Sequence, residues 1–191
     1  RSFNRTRISA KIEKPIADQQ DFMENYFKKY WEPDKSCLIV VNTVKLSIDV
    51  FRSIQSYFGE EEIKNPIYYL STNIVPAGRQ QLIDQIKEDV INARLGKGLR
   101  PILISTQCIE AGVDLDFDMA FRDLAPIDSI IQVAGRVNRE YNKEFVGEVI
   151  VIDFGICGRI YGPMTEETAH KAIKHFTDIE SHIDEVRYLD L

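Results

Sequence analysis

The sequence predicts an α/β fold in which an open, mostly parallel sheet carries helices on both faces. Short apolar runs alternate with longer amphipathic segments along the 191 residues. The runs lack the polar alternation of half-exposed strands, as is typical of strands that are buried on both faces of a parallel sheet. No internal repeat or low-complexity segment interrupts the alternation, which indicates successive strand and helix units.

The elements follow in order along the chain. Residues 18–31 (DQQDFMENYFKKYW) carry aromatic and apolar side chains at near-helical spacing and predict a helix that covers a core, ended by Pro33. CLIVVN, residues 37–42, predicts the first buried strand because it is short, apolar and rich in branched residues. The same patterns predict helices over 44–57 and 78–93, strands over 67–70, 101–105, 119–122 and 148–154, and a helix carrying QVAGRVNR between the last two strands.

The chain length is that of one domain with a helical tail. We expect a basic N-terminal segment and covering helix over 1–35 that follows an interdomain linker. The main domain is predicted over 36–160 and an acidic helical extension over 161–191. Because the chain starts at Arg1, we expect it to be a piece of a longer protein.

The charge distribution leaves room for an anionic partner although the net charge is −6. Residues 164–191 hold seven acidic and three basic residues, so the rest of the chain is nearly neutral. The first fourteen residues carry five basic side chains against Glu13 and predict a basic strand or a linker. Positive potential can therefore arise locally where basic side chains converge.

Several classes of protein are excluded by pattern. No apolar run has membrane-spanning length and no signal peptide opens the chain, so we expect a cytoplasmic protein without a membrane partner. Cys37, Cys108 and Cys157 lie far apart and predict reduced structural thiols. The three histidines also lack ligand spacing, so no metal site is predicted.

Polar side chains follow three predicted strands, at the edge of a parallel sheet where ligands bind. Hydroxyl groups and backbone N–H groups at helix starts can receive phosphate without a large positive charge. Helix capping is the alternative interpretation of each pair. The candidate residues are Asn42 and Thr43, Ser71 and Thr72, and Ser105 and Thr106.

A tight turn is predicted in the segment AGVD. Gly112 and Asp114 would form it, with a carboxylate able to accept a hydrogen bond from a ribose hydroxyl. An ordinary turn closed by the aspartate side chain is the alternative.

QVAGRVNR, residues 132–139, is predicted to place three donors on one helix face. Gln132, Arg136 and Arg139 have the spacing i, i+4 and i+7. Guanidinium groups are permanent cations whose geometry suits phosphate oxygens. The alternative is a solvated face whose arginines pair with Asp128 or Glu140.

Taken in order, these motifs resemble motifs IV, IVa, V and VI of the second RecA-like domain of superfamily 2 helicases. Within that group, LSTNIVPAGR and STQCIEAGVDLDFDMAFRD most resemble the CRISPR-associated helicase of type I interference systems. The full chain of that helicase commonly carries a histidine-aspartate nuclease domain as well. The resemblance covers about residues 36–155, and it implies a RecA-like, P-loop NTPase-type fold.

The resemblance implies a role in ATP hydrolysis for the last motif. Arg136 and Arg139 resemble arginine fingers that reach the γ-phosphate of ATP bound with Mg²⁺ mainly by the other RecA-like domain, and Gln132 is a nearby polar contact. Glu110, Gly112 and Asp114 would link the nucleotide to the nucleic-acid contact.

The resemblance also implies a grip on the nucleic-acid backbone. Ser105 and Thr106 would touch the strand, and Arg79 resembles a backbone-phosphate contact. Relatives often carry histidine at the position of Gly78, so this chain departs from the pattern there. The expected partners are single-stranded DNA, with RNA left open, the first RecA-like domain, a nuclease domain and a CRISPR RNA-guided surveillance complex.

The motifs that bind ATP are missing from this chain. It has no GxxxxGK[ST] loop, and GKG at residues 96–98 lacks the spacing and the hydroxyl residue. It also has no Asp-Glu box to hold Mg²⁺. We therefore expect the chain alone to be inactive as an ATP hydrolase.

A second hypothesis is a non-catalytic RecA-like module that binds a protein or a nucleotide and uses the arginines in a salt-bridged interface. The acidic tail would suit docking or plain packing against its own domain. Its apolar residues at helical spacing are Ala169, Ile173, Phe176 and Ile179.

Overall fold

The computed structural model describes residues 5–59, 65–71, 76–110, 113–140, 142 and 145–178. Within them, six parallel strands form one sheet in the order β1-β6-β5-β2-β4-β3. This confirms the predicted open parallel sheet. The strands are β1 Thr6–Lys11, β2 Cys37–Val40, β3 Ile67–Leu70, β4 Ile102–Ser105, β5 Met119–Asp123 and β6 Gly147–Ile152.

Helices connect the strands close to the predicted positions. The helix predicted over 18–31 is α1 Gln19–Phe22 and α2 Lys28–Tyr30, joined by a π-helical turn over Met23–Phe27. The other helices are α3 Val44–Gly59, α4 Pro76–Arg94, α5 Ile127–Ala134, α6 Cys157–Tyr161 and α7 Pro163–Asp178, and a 3₁₀ turn spans Gln107–Ile109.

The core lies on both faces of the sheet because successive strand residues point to opposite sides. On one face, Leu38 of β2 packs in a cluster with residues of α4, α5 and α7. On the other face, Ile39 packs in a cluster with Phe22, Phe27 and Ile54 from the helices before and after β2. These five side chains are all fully buried. The prediction of helices on both faces is thus confirmed.

The basic N-terminal segment forms a strand, which was one of its two predicted interpretations. β1 pairs in parallel with β6, from Thr6 opposite Gly147 to Lys11 opposite Ile152. Residues 5–35 therefore belong to the same sheet and core as the residues that follow, and the division of domains at residue 36 stays a prediction.

The described part of the acidic tail packs on its own domain. Ala169 and Ile173 of α7 are buried in the cluster that α4 and α5 also cover. The side chain of Phe176, and Ile179 with the rest of the chain, lie outside the described residues. None of the described helices is long and apolar enough to cross a membrane.

Candidate functional site

The parallel sheet brings the three predicted polar segments together. β4 lies between β2 and β3, and Ser105 is in register with both Val40 and Leu70, the last residues of those strands. Asn42, Ser71 and Thr106 therefore follow neighbouring strand ends at one edge, which confirms their predicted clustering. Thr72 lies outside the described residues.

Most polar side chains at this edge make internal hydrogen bonds. Ser105 is fully buried and its hydroxyl donates to the Leu70 carbonyl oxygen at 2.8 Å. The Asn42 side chain is buried as well, and its Nδ2 donates to the Leu124 carbonyl oxygen at 2.7 Å. These two buried side chains therefore stabilise the edge from inside the domain.

The other residues predicted to contact nucleic acid differ in their burial and in their hydrogen-bond partners. Thr43 Oγ1 accepts from the Leu46 N–H at 3.1 Å, which is the capping role that was the alternative interpretation. Ser71 and Thr106 are buried, with 2% and 4% of their surface exposed. Arg79 Nη2 donates to the Cys108 carbonyl oxygen at 2.9 Å, so the start of α4 is tied to the turn that follows Thr106.

A buried ionic centre, which the sequence prediction missed, lies under this edge. Arg122 of β5 is fully buried and its Nη2 donates to Glu110 Oε1 at 2.8 Å. Its Nη1 donates to Asn42 Oδ1 at 2.8 Å and to the Asp123 carbonyl oxygen at 2.7 Å. The available signal was a basic residue, Arg122, directly after the apolar residues Met119, Ala120 and Phe121 in the predicted buried strand.

Burial raises the pKa of both carboxyl groups of this centre. The pKa of Glu110 is above its usual range because desolvation outweighs the attraction of Arg122. Desolvation raises the pKa of Asp123 to about 7, although its oxygens accept from the N–H groups of Phe154 and Asn42.

The predicted helix face of QVAGRVNR is wrong. α5 ends at Ala134, so Gln132 is on the helix and exposed, whereas Arg136 and Arg139 lie in the turns beyond it. Beyond the helix, Val137 forms a parallel β-bridge with Phe117, and the Phe117 N–H donates to the Arg136 carbonyl oxygen at 2.9 Å. This pairing replaces the helical hydrogen bonds.

Asn138 completes this departure from the helix. Its φ is 48°, a left-handed conformation that asparagine tolerates better than most residues. The Asn138 N–H donates to the Phe117 carbonyl oxygen at 2.9 Å. Its side chain Nδ2 donates to the carbonyl oxygens of Arg5 and Phe145 at 3.1 and 3.0 Å. Tertiary contacts thus set the path between the two arginines.

The two arginines differ in exposure and in their partners. Arg136 is partly buried, and its Nη2 donates to the Glu110 carbonyl oxygen at 3.0 Å. Its buried Nε has no partner in the described part of the chain, and desolvation followed by repulsion from Arg139 lowers its pKa. The side chain of Arg139 is 42% exposed and its Nη1 donates to Asp114 Oδ1.

Asp114 is an exposed carboxylate between two cations. Its Oδ2 accepts from Lys87 Nζ at 2.8 Å, and Oδ1 accepts from Arg139. The hydrogen bond and charge of Lys87, followed by the charge of Arg139, lower the pKa of Asp114. Gly112 and the tight turn predicted around it lie outside the described residues. These charges border an open cleft of about 290 Å³ that Val90, Ile91 and Leu115 also line.

A second ionic cluster fixes the backbone at this cleft. Arg94 Nη1 donates to Asp116 Oδ2 at 2.8 Å, and its Nε donates to Asp118 Oδ1 at 3.0 Å. Asp116 Oδ1 accepts from the Arg139 N–H at 2.7 Å. The backbone of Arg139 is thereby anchored while its guanidinium stays at the surface. The residues described hold no group of three or more acidic, histidine or cysteine side chains that could bind a metal ion.

Residues 33–142, more than half of the chain, match the family model of the C-terminal domain of the CRISPR-associated nuclease/helicase Cas3. A protein from Haloferax volcanii named CRISPR-associated nuclease/helicase Cas3 is 42% identical over 83 residues, which cover 44% of this chain and 8% of the relative. A protein of the same name from Methanothermobacter thermautotrophicus is 31% identical over 136 residues, 70% of this chain and 15% of the relative. The chain thus corresponds to a small part of these proteins.

Solved structures share the fold. The crystal structure of T. fusca Cas3 with AMPPNP has a TM-score of 0.72 at 16% identity, covering 89% of this chain and 21% of that one. Domain 2 of the DEAD-box helicase Mss116p bound to an RNA duplex has a TM-score of 0.51 at 14% identity, covering 78% of this chain and 54% of that one. The RecA-like fold that the motifs implied is confirmed.

Proposed function

Given that the chain belongs to the family of the C-terminal domain of the CRISPR-associated nuclease/helicase Cas3, we propose that it is the second RecA-like domain of an ATP-dependent DNA helicase that acts in CRISPR interference. A first RecA-like domain would complete the motor. Single-stranded DNA, a nuclease domain and an RNA-guided surveillance complex are its proposed partners, and the cytoplasm is its proposed location.

The observation that carries this proposal is the position of Arg139. An anchored backbone presents an exposed guanidinium beside an open cleft. Arg136 lies close by, since repulsion from Arg139, after desolvation, lowers its pKa. Two neighbouring guanidinium groups fit the charge of a phosphoryl group.

The chain would contribute electrostatic stabilisation to a cleft shared with the first domain. ATP with Mg²⁺, bound mainly by that domain, would supply the phosphoryl group that is transferred. Arg139 would donate to its oxygens and Arg136 would stabilise the developing charge from a more fixed position. Arginine fingers of this kind change rates by about 10³ to 10⁵-fold. Gln132 is exposed on α5 and would be an auxiliary polar contact.

The sheet edge would hold the nucleic-acid backbone. The backbone of the turn after Thr106, where Gln107 and Cys108 are partly exposed, is proposed as the contact. Thr106 is 4% exposed and would position this turn, and Arg79 would hold it from the side of α4. Asn42 and Ser105 would position this edge from beneath, since their side chains are buried and bonded internally. Such contacts are indifferent to base sequence.

Removing the exposed guanidinium tests this proposal. In the full-length protein we expect Arg139→Ala to lower ATP turnover stimulated by single-stranded DNA by about 10³-fold or more. Nucleotide binding should persist, and the Tm should change by less than about 2 °C because alanine retains the backbone bond to Asp116.

Arg52→Ala is the matched control, since Arg52 is an exposed arginine on α3. It should leave turnover unchanged. Wild-type protein without DNA-stimulated turnover, or an Arg139→Ala variant with full turnover, would contradict the proposal and favour a role of the arginines in a protein interface.

A further inference from the structure

We propose that Arg122 is a positioning residue that couples the nucleic-acid edge to the arginine fingers. This inference rests on the proposed function. Arg122 is fully buried in β5, so its guanidinium is not exposed at the edge or in the cleft. Its guanidinium instead joins the segment after β2 to the turn after β4.

One side of the guanidinium holds the edge. Arg122 Nη1 donates to Asn42 Oδ1 at 2.8 Å. The Asn42 carbonyl oxygen accepts from Gln107 Nε2 at 2.8 Å, and the same Gln107 nitrogen lies 2.9 Å from the Tyr161 hydroxyl. Gln107 is partly exposed in the turn after Thr106, so displacement of this turn by a bound strand would be transmitted to Asn42 and from there to Arg122.

The other side of the guanidinium leads to the fingers. Arg122 Nη2 donates to Glu110 Oε1 at 2.8 Å. The carbonyl oxygen of Glu110 accepts from Arg136 Nη2 at 3.0 Å. Glu110 therefore connects Arg122 to the first finger.

Stability does not account for an arginine at this position. A buried ion pair often contributes no more to stability than apolar side chains of similar size, because both charges lose their hydration. Arg122 Nε is also buried without a partner in the described part of the chain. A planar group with donors on two sides is the feature that an apolar residue could not reproduce, and it links two segments rigidly.

The test measures DNA stimulation of ATP turnover in the full-length protein. Arg122→Lys retains the charge but replaces the two terminal nitrogens, which bond Asn42 and Glu110 separately, with a single ammonium nitrogen. The pair Arg122→Met with Glu110→Met removes both charges and refills the volume, so that folding is recovered if the single change disrupts it. We expect both to keep the KM for ATP and to reduce the stimulated kcat, relative to turnover without DNA, at least about fivefold.

Ile54→Ala is the control, because it weakens the opposite core cluster without contacting this network, and it should keep the wild-type stimulation ratio. Wild-type stimulation in the Arg122 variants would overturn the inference, and so would failure of both variants to fold, since Arg122 would then be structural. Absence of stimulation in the wild type would instead reject the proposed function.

Discussion

Replacing the buried Asp123 should change how the stability of the domain depends on pH. Burial raises the pKa of this carboxyl to about 7 in the folded state, from 3.8 in the unfolded chain. Between these values the folded state binds a proton that the unfolded state does not, so the free energy of unfolding falls as the pH rises. The whole difference corresponds to on the order of 4 kcal/mol at 1.36 kcal/mol per pKa unit.

The measurable part lies around neutral pH. Between pH 6 and pH 8 the wild type should lose about 1 kcal/mol of unfolding free energy relative to Asp123→Asn, measured by urea denaturation of both proteins at each pH. The hydrogen bond from the Asn42 or Phe154 N–H that asparagine forfeits adds only a constant offset. The variant retains the other groups that titrate in this range, so their contributions cancel when its unfolding free energy is subtracted from that of the wild type.

Asp114 provides a matched control, because its pKa is shifted in the opposite direction to that of Asp123. The pKa of Asp114 is lowered by Lys87, so Asp114→Asn removes a contribution that is present at high pH and lost only near the acidic pKa of the carboxylate. Its stability should parallel the wild type between pH 6 and pH 8. A stability difference between Asp123→Asn and wild type that stays constant over this range would refute the assignment of a raised pKa to Asp123.

Two further predictions concern the finger segment and the thiols. Asn138→Ala should lower the unfolding free energy by about 2–4 kcal/mol, because the hydrogen bonds of the buried side-chain amide are lost and φ is positive. Asn138→Gly should recover about 1 kcal/mol of this loss in urea denaturation, because glycine adopts a positive φ without strain. Equal stability of the two variants would exclude backbone strain. Alkylation with iodoacetamide at pH 8, followed by mass spectrometry, should modify Cys108 first, because burial raises the pKa of Cys37 and raises that of Cys157 to about 11. Equal rates at all three thiols would contradict this.

The fold was predictable because its signals are local. Each buried strand is a short apolar run, and the predicted strand over 67–70 coincides with β3. Helix ends shifted by one or two residues, as at Gly59, where α3 ends two residues beyond the predicted Tyr57. The parallel arrangement followed from the alternation of strands and helices, and it brought the polar strand ends to one edge as expected.

The candidate site was predicted less well because tertiary contacts determine it. The helical periodicity of QVAGRVNR holds only to Ala134, beyond which pairing with Phe117 takes over. No local pattern could indicate this partner. The burial of Ser105 and Asn42 likewise depends on neighbouring strands. Arg122 could have been found, since a charged residue inside a predicted buried strand requires a buried partner.

The contrast between the two arginines suggests how they would share the work under the proposed function. Arg139 is held by an exposed ion pair, and such pairs contribute little because water competes for both groups. Lys87 would keep Asp114 neutralised when Arg139 leaves, so movement of Arg139 toward a phosphate leaves no unpaired charge behind. Arg136 is partly buried and held by a carbonyl oxygen, so it is the more fixed of the two. We therefore expect that the mobile finger is Arg139 and that Arg136 depends on Glu110 for its position.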